Sequence, residues 1–276
     1  MTDRTIVITG ASDGIGAAAA RALAASGERV VIVGRSPQKT EAIAAELGAD
    51  HLIADFGRLA EVRTLAAELL QRYPRIDVLA NNAGGLVPRR SLTADGHERT
   101  LQSNHLAPFL LTNLLLPRLA NSGARIVSTS SVLNRIGAPR LRDLDSPRRP
   151  WAGGWGAYGT SKLWTILFTE ELARRTTGTG ITAYSFHPGF VATGFGRGSP
   201  LMAFVALSSG GDYGISAAAG AVPLIELSAA PDPGAPSGTY FDTLTANGRR
   251  HRASGDADLA RRLWERSAQL VGLPPS

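Results

Sequence analysis

The sequence predicts an α/β fold in which a doubly wound parallel sheet carries helices on both faces. Short β-branched runs alternate with helix-like segments from the first residues onward, the pattern of parallel strands joined by crossover helices. A glycine cluster stands between the first strand-like run and the first helix-like one. The 276 residues show no repeat period and no interdomain linker, and 43% are hydrophobic. A single domain over 1–276 with one substantial core is expected.

In chain order, Thr5–Thr9 reads as the first strand and the Ala-rich stretch 14–26 as the first helix, ending at Gly27. Residues 29–33 form a second strand. Pro37–Leu47 reads as a helix with proline in its first turn and Gly48 as its stop. Residues 51–54, 76–80, Arg125–Thr129 and 181–186 supply further strands. Residues 59–73, 95–119 and 157–176 supply further helices, the last being the clearest. Two stretches break the rhythm. Residues 133–156, rich in Pro, Gly and Arg, read as an insertion, and 192–213, rich in Gly and small apolar residues, as a substrate loop. Both follow strands, where open α/β sheets place their ligand crevice, and loops of this length are more often functional than idle.

Composition narrows the chemistry. There is no cysteine, which excludes disulfides, Cys-ligated zinc, iron–sulfur clusters and thiol nucleophiles. His51, His97, His105, His187 and His251 show no metal-ligand spacing, and no metal is expected. No apolar run approaches the roughly 20 residues of a membrane helix, and no signal peptide precedes the first strand. The expectation is a cytoplasmic protein without a membrane partner. The net charge is +6, but the arginines are scattered and no aromatic-interleaved basic stripe is present, so no nucleic-acid partner is expected. The positive field favours anionic ligands such as a phosphorylated cofactor.

The run Thr9-Gly10-Ala11-Ser12-Asp13-Gly14-Ile15-Gly16 joins the first strand to the first helix. Its glycines allow a tight turn, a close backbone approach to a pyrophosphate, and close helix–strand packing. The helix N-terminus offers unpaired N–H groups to phosphate. Arg35 follows the second strand, 19 residues beyond Gly16. An acidic residue there would hydrogen-bond the ribose of NAD(H), whereas a guanidinium matches a 2′-phosphate. NADP(H) is therefore the expected cofactor, with NAD(H) as the alternative. Asp13 argues the other way, since a carboxylate near the 2′-phosphate repels it.

Tyr158 and Lys162 stand four residues apart on the clearest helix, so one face presents both to the same ligand. A free phenol titrates at about 10, and a neighbouring ammonium favours its ionised form. A phenol can give a proton to an alkoxide, and its phenolate can take one in reverse. Lys39 and Lys162 are the only lysines in an arginine-rich chain, which suggests that a compact ammonium is needed at 162.

With these motifs in place, the chain resembles the short-chain dehydrogenases/reductases over nearly its full length. The resemblance rests on Thr9–Gly16, Asn81-Asn82-Ala83-Gly84, Asn104, Ser130-Ser131, Tyr158-Gly-Thr-Ser-Lys162 and Pro188-Gly189. It implies a Rossmann-type dinucleotide fold and hydride chemistry at a nicotinamide. By the resemblance, Ser131 polarises the substrate carbonyl, Tyr158 is the acid/base, and Lys162 binds ribose hydroxyls and tunes Tyr158. Asn104 holds a relay water. Gly10, Ser12, Asp13, Gly14, Ile15 and Gly16 cradle the cofactor, with Arg35 beside them. Asp55 reaches the adenine amino group, Phe56 is a further cofactor-binding residue, and Asn82, Ala83 and Gly84 line the adenosine-ribose side. Pro188, Gly189, Val191 and Thr193 meet the nicotinamide. Ser130 is the less favoured serine.

A narrower resemblance is to the retinol-dehydrogenase-like branch. It is carried by Ser103-Asn104-His105-Leu106, Ser161-Lys162-Leu163, Phe168–Arg175, His187-Pro188-Gly189, Gly238-Thr-Tyr-Phe241 and Leu263-Trp264. The 27-residue separation of Ser131 from Tyr158 also fits that branch. The branch implies lipophilic carbonyl or alcohol substrates. Trp151, Trp155, Phe195, Leu201, Met202 and Phe204 are candidate pocket residues, and Arg197 is a candidate grip for an acidic group. The helix at 157–176 resembles the element this family uses to form homodimers or homotetramers. The competing expectations are a non-redox enzyme on the same fold (an epimerase, dehydratase or cyclase) and a cofactor-sensing protein without catalysis.

Overall fold

A computed structural model of the chain describes residues 4–144, 151–191 and 214–274. One eight-stranded sheet runs β3-β2-β1-β4-β5-β6-β7-β8. Its strands are β1 (Thr5–Thr9), β2 (Arg29–Gly34), β3 (Asp50–Ile53), β4 (Val78–Asn81), β5 (Arg125–Thr129), β6 (Thr182–His187), β7 (Tyr240–Asp242) and β8 (Thr245–Ala246). All pairings are parallel except β7 with β8, which is antiparallel. The helices are α1 (Gly14–Ala25), α2 (Pro37–Leu47), α3 (Leu59–Arg72), α4 (Ala107–Ser122), α5 (Trp155–Arg175), α6 (Ala217–Ala229) and α7 (Ala257–Leu270).

The run Thr5-Ile6-Val7-Ile8-Thr9 shows why the sheet has two dry faces. Successive strand side chains point to opposite sides. Ile6 and Ile8 join one core cluster with Ala19, Leu23 and Leu224 of α1 and α6. Val7 joins the other with Leu65, Phe109, Leu167 and Trp264 of α3, α4, α5 and α7. A strand buried on both faces reads as a continuous apolar run. Trp264 stacks on Phe168 at 5.7 Å and meets Phe109 edge-on at 4.9 Å. This aromatic wedge ties α5 to α4 and α7.

The strand order reverses between β1 and β4, since β1 leads to β2 on one side and pairs with β4 on the other. Ligands of open α/β sheets bind at such a switch point, beyond the carboxyl ends of the strands.

The structure departs from the sequence reading in two places. The helix expected over 95–119 is broken into a turn at Arg99–Leu101, a π-helical stretch at Gln102–Leu106, and α4. Gly96 takes φ +83°, and Leu92 pairs with Glu98 as an antiparallel bridge, so the chain is still turning where a helix was expected. Glu98 then caps the turn through the N–H groups of Thr100 and Leu101. The second departure is the region after β6, where α6, β7, β8 and α7 add elements beyond those expected.

Candidate active site

Thr9 stitches the switch point together. Its hydroxyl donates to the Ala80 carbonyl at 3.1 Å and accepts the N–H groups of Asn82 at 3.0 Å and Ala83 at 3.1 Å. The Asn82 amide donates to the carbonyls of Thr9 and Gly10 and accepts from the Thr129 hydroxyl. The ends of β1, β4 and β5 are thereby held in one arrangement. Gly10 adopts φ +66°, and a Cβ there would stand 2.8 Å from the Ala83 Cα.

Helix α1 opens directly from this loop. The Asp13 carboxylate caps it, accepting the Gly14 N–H at 2.8 Å, and the Asp13 carbonyl accepts the Ala17 N–H. Among the amides of the first turn, those of Ile15 and Gly16 are then left to serve an anion. The second carboxylate oxygen of Asp13 accepts Lys39 Nζ at 2.7 Å. At the end of β2, a Cβ on Gly34 would meet the hydroxyls of Thr40 at 2.3 Å and Ser12 at 2.9 Å. Arg35 follows, exposed to solvent.

Beyond β3, Asp55 closes a turn by accepting the Gly57 N–H at 2.9 Å through one oxygen. Phe56 is only 7% exposed and packs in the core. Its carbonyl accepts from the Gln102 side-chain amide at 3.3 Å.

The side chains of Ser131, Tyr158 and Lys162 gather on the other bank. Ser131 begins the 3₁₀ turn Val132–Ile136, accepting the Leu133 N–H at 3.2 Å, and its hydroxyl shares a hydrogen bond with that of Tyr158. Tyr158 is buried, which pushes its pKa up, and the Ser131 hydrogen bond opposes that rise. Lys162 lies one turn further along α5 with Nζ 5.5 Å from the Tyr158 ring centre. Nζ donates to the Thr129 carbonyl at 2.8 Å, and burial pulls its pKa down to about 8. Thus Tyr158 is a neutral phenol, and Lys162 is an ammonium that burial makes easy to discharge.

Asn104 sits in the π-helical stretch, a local geometry often found at functional sites. Its amide accepts the Gly85 N–H and donates to the Gly85 carbonyl and the Ser161 hydroxyl, each at 3.0 Å. Ser161 in turn donates to the Tyr158 carbonyl. The Asn104 side chain thus braces the Gly84–Gly85 turn against α5.

The family model for short chain dehydrogenase matches residues 4–143. A protein of Streptomyces sp. (strain C5), assigned as a daunorubicin C-13 ketoreductase, is 43% identical over 98% of this chain and 93% of its own. The chain belongs to the short-chain dehydrogenase/reductase family. Retinol dehydrogenase 13 of Homo sapiens is 36% identical over 98% of this chain and 85% of its own, which places this short-chain dehydrogenase/reductase on the retinol-dehydrogenase-like branch. An uncharacterised protein from Mycobacterium paratuberculosis has the same fold, with a TM-score of 0.79, 34% identity, and coverage of 99% of this chain and 95% of that one. A short chain dehydrogenase from Burkholderia cenocepacia J2315, solved in complex with NADP, gives a TM-score of 0.67 and 28% identity over 87% of this chain and 95% of that one. This chain is a nicotinamide-dependent dehydrogenase/reductase acting on CH–OH or C=O groups. No helix among the described residues is long and apolar enough to cross a membrane.

The residues named from the sequence come together at this short-chain dehydrogenase/reductase crevice, with distinctions. Ser130 donates its hydroxyl to the Lys162 carbonyl at 2.8 Å, leaving Ser131 as the serine beside Tyr158. Asn82 braces the glycine loop, and Gly84 lies against Asn104 and Lys162. Pro188 is buried, Gly189 adopts φ +90°, and Val191 pairs with Ile215. Thr193, Phe195, Arg197, Leu201, Met202 and Phe204, with the rest of the 192–213 loop, lie outside the described residues. Thr9, Ser161 and Lys39 carry site geometry that the motifs did not assign. For Lys39 a signal was present in its rarity.

Proposed function

We propose that this enzyme is an NADP(H)-preferring carbonyl reductase or alcohol dehydrogenase of an apolar small molecule, with Tyr158 as its acid/base. The observation that carries this reading is the hydrogen bond between the Ser131 and Tyr158 hydroxyls beside buried Lys162. The nicotinamide cofactor, when bound, supplies or accepts the hydride. Its phosphates fit the Ile15 and Gly16 amides at the α1 N-terminus, its adenine the second carboxylate oxygen of Asp55, and its 2′-phosphate Arg35.

For a carbonyl substrate, the Ser131 hydroxyl donates to the oxygen, and the Tyr158 phenol releases its proton to that oxygen as it gains negative charge. Burial holds Tyr158 protonated, which suits the reductive direction. The Lys162 ammonium stabilises the resulting phenolate, and Asn104 keeps the turn facing it in place. The ketoreductase and retinol dehydrogenase names of the relatives support carbonyl or alcohol chemistry. The apolar preference is supported by exposed apolar side chains just beyond the end of β6. Ile215 donates its N–H to the Phe190 carbonyl, and both side chains face solvent, at 39% and 52% exposure.

A screen of ketones with NADPH and with NADH, followed by nicotinamide absorbance, tests the reading. Turnover of apolar ketones with NADPH is expected, and Arg35→Asp should weaken NADPH far more than NADH. Equal use of both cofactors would remove the NADP(H) preference. A strict requirement for carboxylated substrates would remove the apolar one.

A further inference from the structure

Asp13 and Lys39 form a pair that the reaction chemistry does not use. Asp13 lies in the glycine loop and Lys39 in the first turn of α2, with 2.7 Å between Nζ and the carboxylate. Gly34 lies between the hydroxyls of Ser12 and Thr40, which brings the Arg35 turn alongside the Ser12–Asp13 segment. One Asp13 oxygen is spent on the α1 cap and the other on Lys39. An anion approaching Arg35 from the α1 side therefore meets a carboxylate that the Lys39 ammonium helps to offset. Lys39 is also one of only two lysines in the chain, and the other sits beside Tyr158.

We propose that Lys39 is a specificity-determining residue: by neutralising Asp13, it allows a 2′-phosphorylated dinucleotide to settle against Arg35. The proposal rests on the NADP(H) reading above. With the pair intact, Arg35, Lys39 and Asp13 sum to one positive charge. With Lys39 neutral, they sum to zero, and Asp13 faces a phosphate carrying between one and two negative charges. An ammonium has three donors, so Lys39 can hold Asp13 and still offer a hydrogen to the phosphate. A cofactor lacking the 2′-phosphate brings only its pyrophosphate to this loop, held by the Ile15 and Gly16 amides, so its binding depends less on the pair.

The pair is half exposed on both sides, at 51% and 57%, and such pairs contribute little to stability. Its loss is therefore read in binding, not in folding. Asn at position 13 keeps the α1 cap, so Asp13→Asn removes the charge alone.

The experiment measures equilibrium binding, independent of turnover, by calorimetry at low salt. It uses the unmodified protein, Lys39→Met, Asp13→Asn and the double variant, each with NADPH, NADH, adenosine 2′,5′-bisphosphate and AMP. Lys39→Met is expected to weaken NADPH and the bisphosphate about tenfold, on the scale of one close charge pair near a surface, with NADH and AMP changed less than about twofold. Asp13→Asn in the Lys39→Met background is expected to recover most of that loss. A Lys39→Met loss below about twofold, or a double variant as weak as Lys39→Met, overturns the proposal, the latter because Asp13 would have no part in the effect. If the unmodified protein binds the bisphosphate no better than AMP, the NADP(H) reading itself falls, a result distinct from either.

Discussion

Asn134 holds Ser131 by its main chain: its amide donates to the Ser131 carbonyl at 2.7 Å. Asn134 is fully buried. Its own carbonyl oxygen in the side chain accepts the His251 N–H at 2.8 Å, and its amide also reaches the Tyr240 hydroxyl at 3.5 Å. The turn that carries Ser131 is thus fastened to β7 and to the segment leading into α7. Replacing Asn134 by Leu should cost about 1–3 kcal/mol, the usual penalty for stranding buried polar partners, as measured by urea unfolding. Turnover should fall with cofactor affinity unchanged. A stable variant with normal turnover would show that the 3₁₀ turn fixes Ser131 unaided.

Gly84, in the turn after β4, faces Asn104 and Lys162. Its φ is +155°, and a Cβ there would stand 2.9 Å from Asn104 Oδ1 and 3.5 Å from Lys162 Nζ. Asn104 cannot swing aside cheaply, because Gly85 and Ser161 hold its amide. Gly84→Ala is expected to lose more than about tenfold in turnover, as a small misplacement of catalytic groups can. A fully active Gly84→Ala protein would show that Asn104 and Lys162 have room to adjust.

Lys162 makes a stability prediction with a definite sign. Its folded pKa of about 8 lies below the usual lysine value. Between about 8 and 10, the unfolded chain keeps a proton that the folded one releases, so this group makes folding more favourable as pH rises. Below about 8 both forms are protonated, and the burial cost is borne in full. Above about 10 the gain is opposed, because unfolded tyrosines ionise while Tyr158 stays protonated. The stability of the cofactor-free protein relative to Lys162→Met should therefore climb by on the order of 1 kcal/mol per pH unit between 8 and 10. Urea titrations at both ends of that window measure it. A flat difference would mean that the ammonium stays charged in its buried position.

The parts of this arrangement that depend on local pattern were legible in the sequence. Thr5–Thr9, Pro37–Leu47 and Arg125–Thr129 have the bounds expected of them, because β-branching, an N-terminal proline and a stopping glycine act within a few residues. Tyr158 and Lys162 were legible as a helical pair. The π-helical stretch at Gln102–Leu106 was not, since a shift of hydrogen-bond register leaves the apolar pattern nearly intact. Phe56 packs in the core cluster that also holds Leu59 and Leu101, a burial that motif position does not encode. The Asp13–Lys39 pair joins two helices through tertiary packing. The three-residue strand Tyr240–Asp242 is too short to announce itself. In α7, Leu259, Leu263, Trp264 and Ser267 share one buried face at helical spacing, so that element was legible in principle.

The central claim is that Tyr158 carries the proton to the substrate oxygen, and Tyr158→Phe tests it most directly. The change removes one oxygen and leaves the ring packed. Single-turnover reduction of a confirmed ketone with NADPH should slow by about 10² to 10⁴, the usual range for a general acid, while NADPH binding and the melting temperature stay close to those of the unmodified enzyme. A slowing of less than about tenfold under the same conditions, with the chemical step still rate-limiting, would mean that another group delivers the proton.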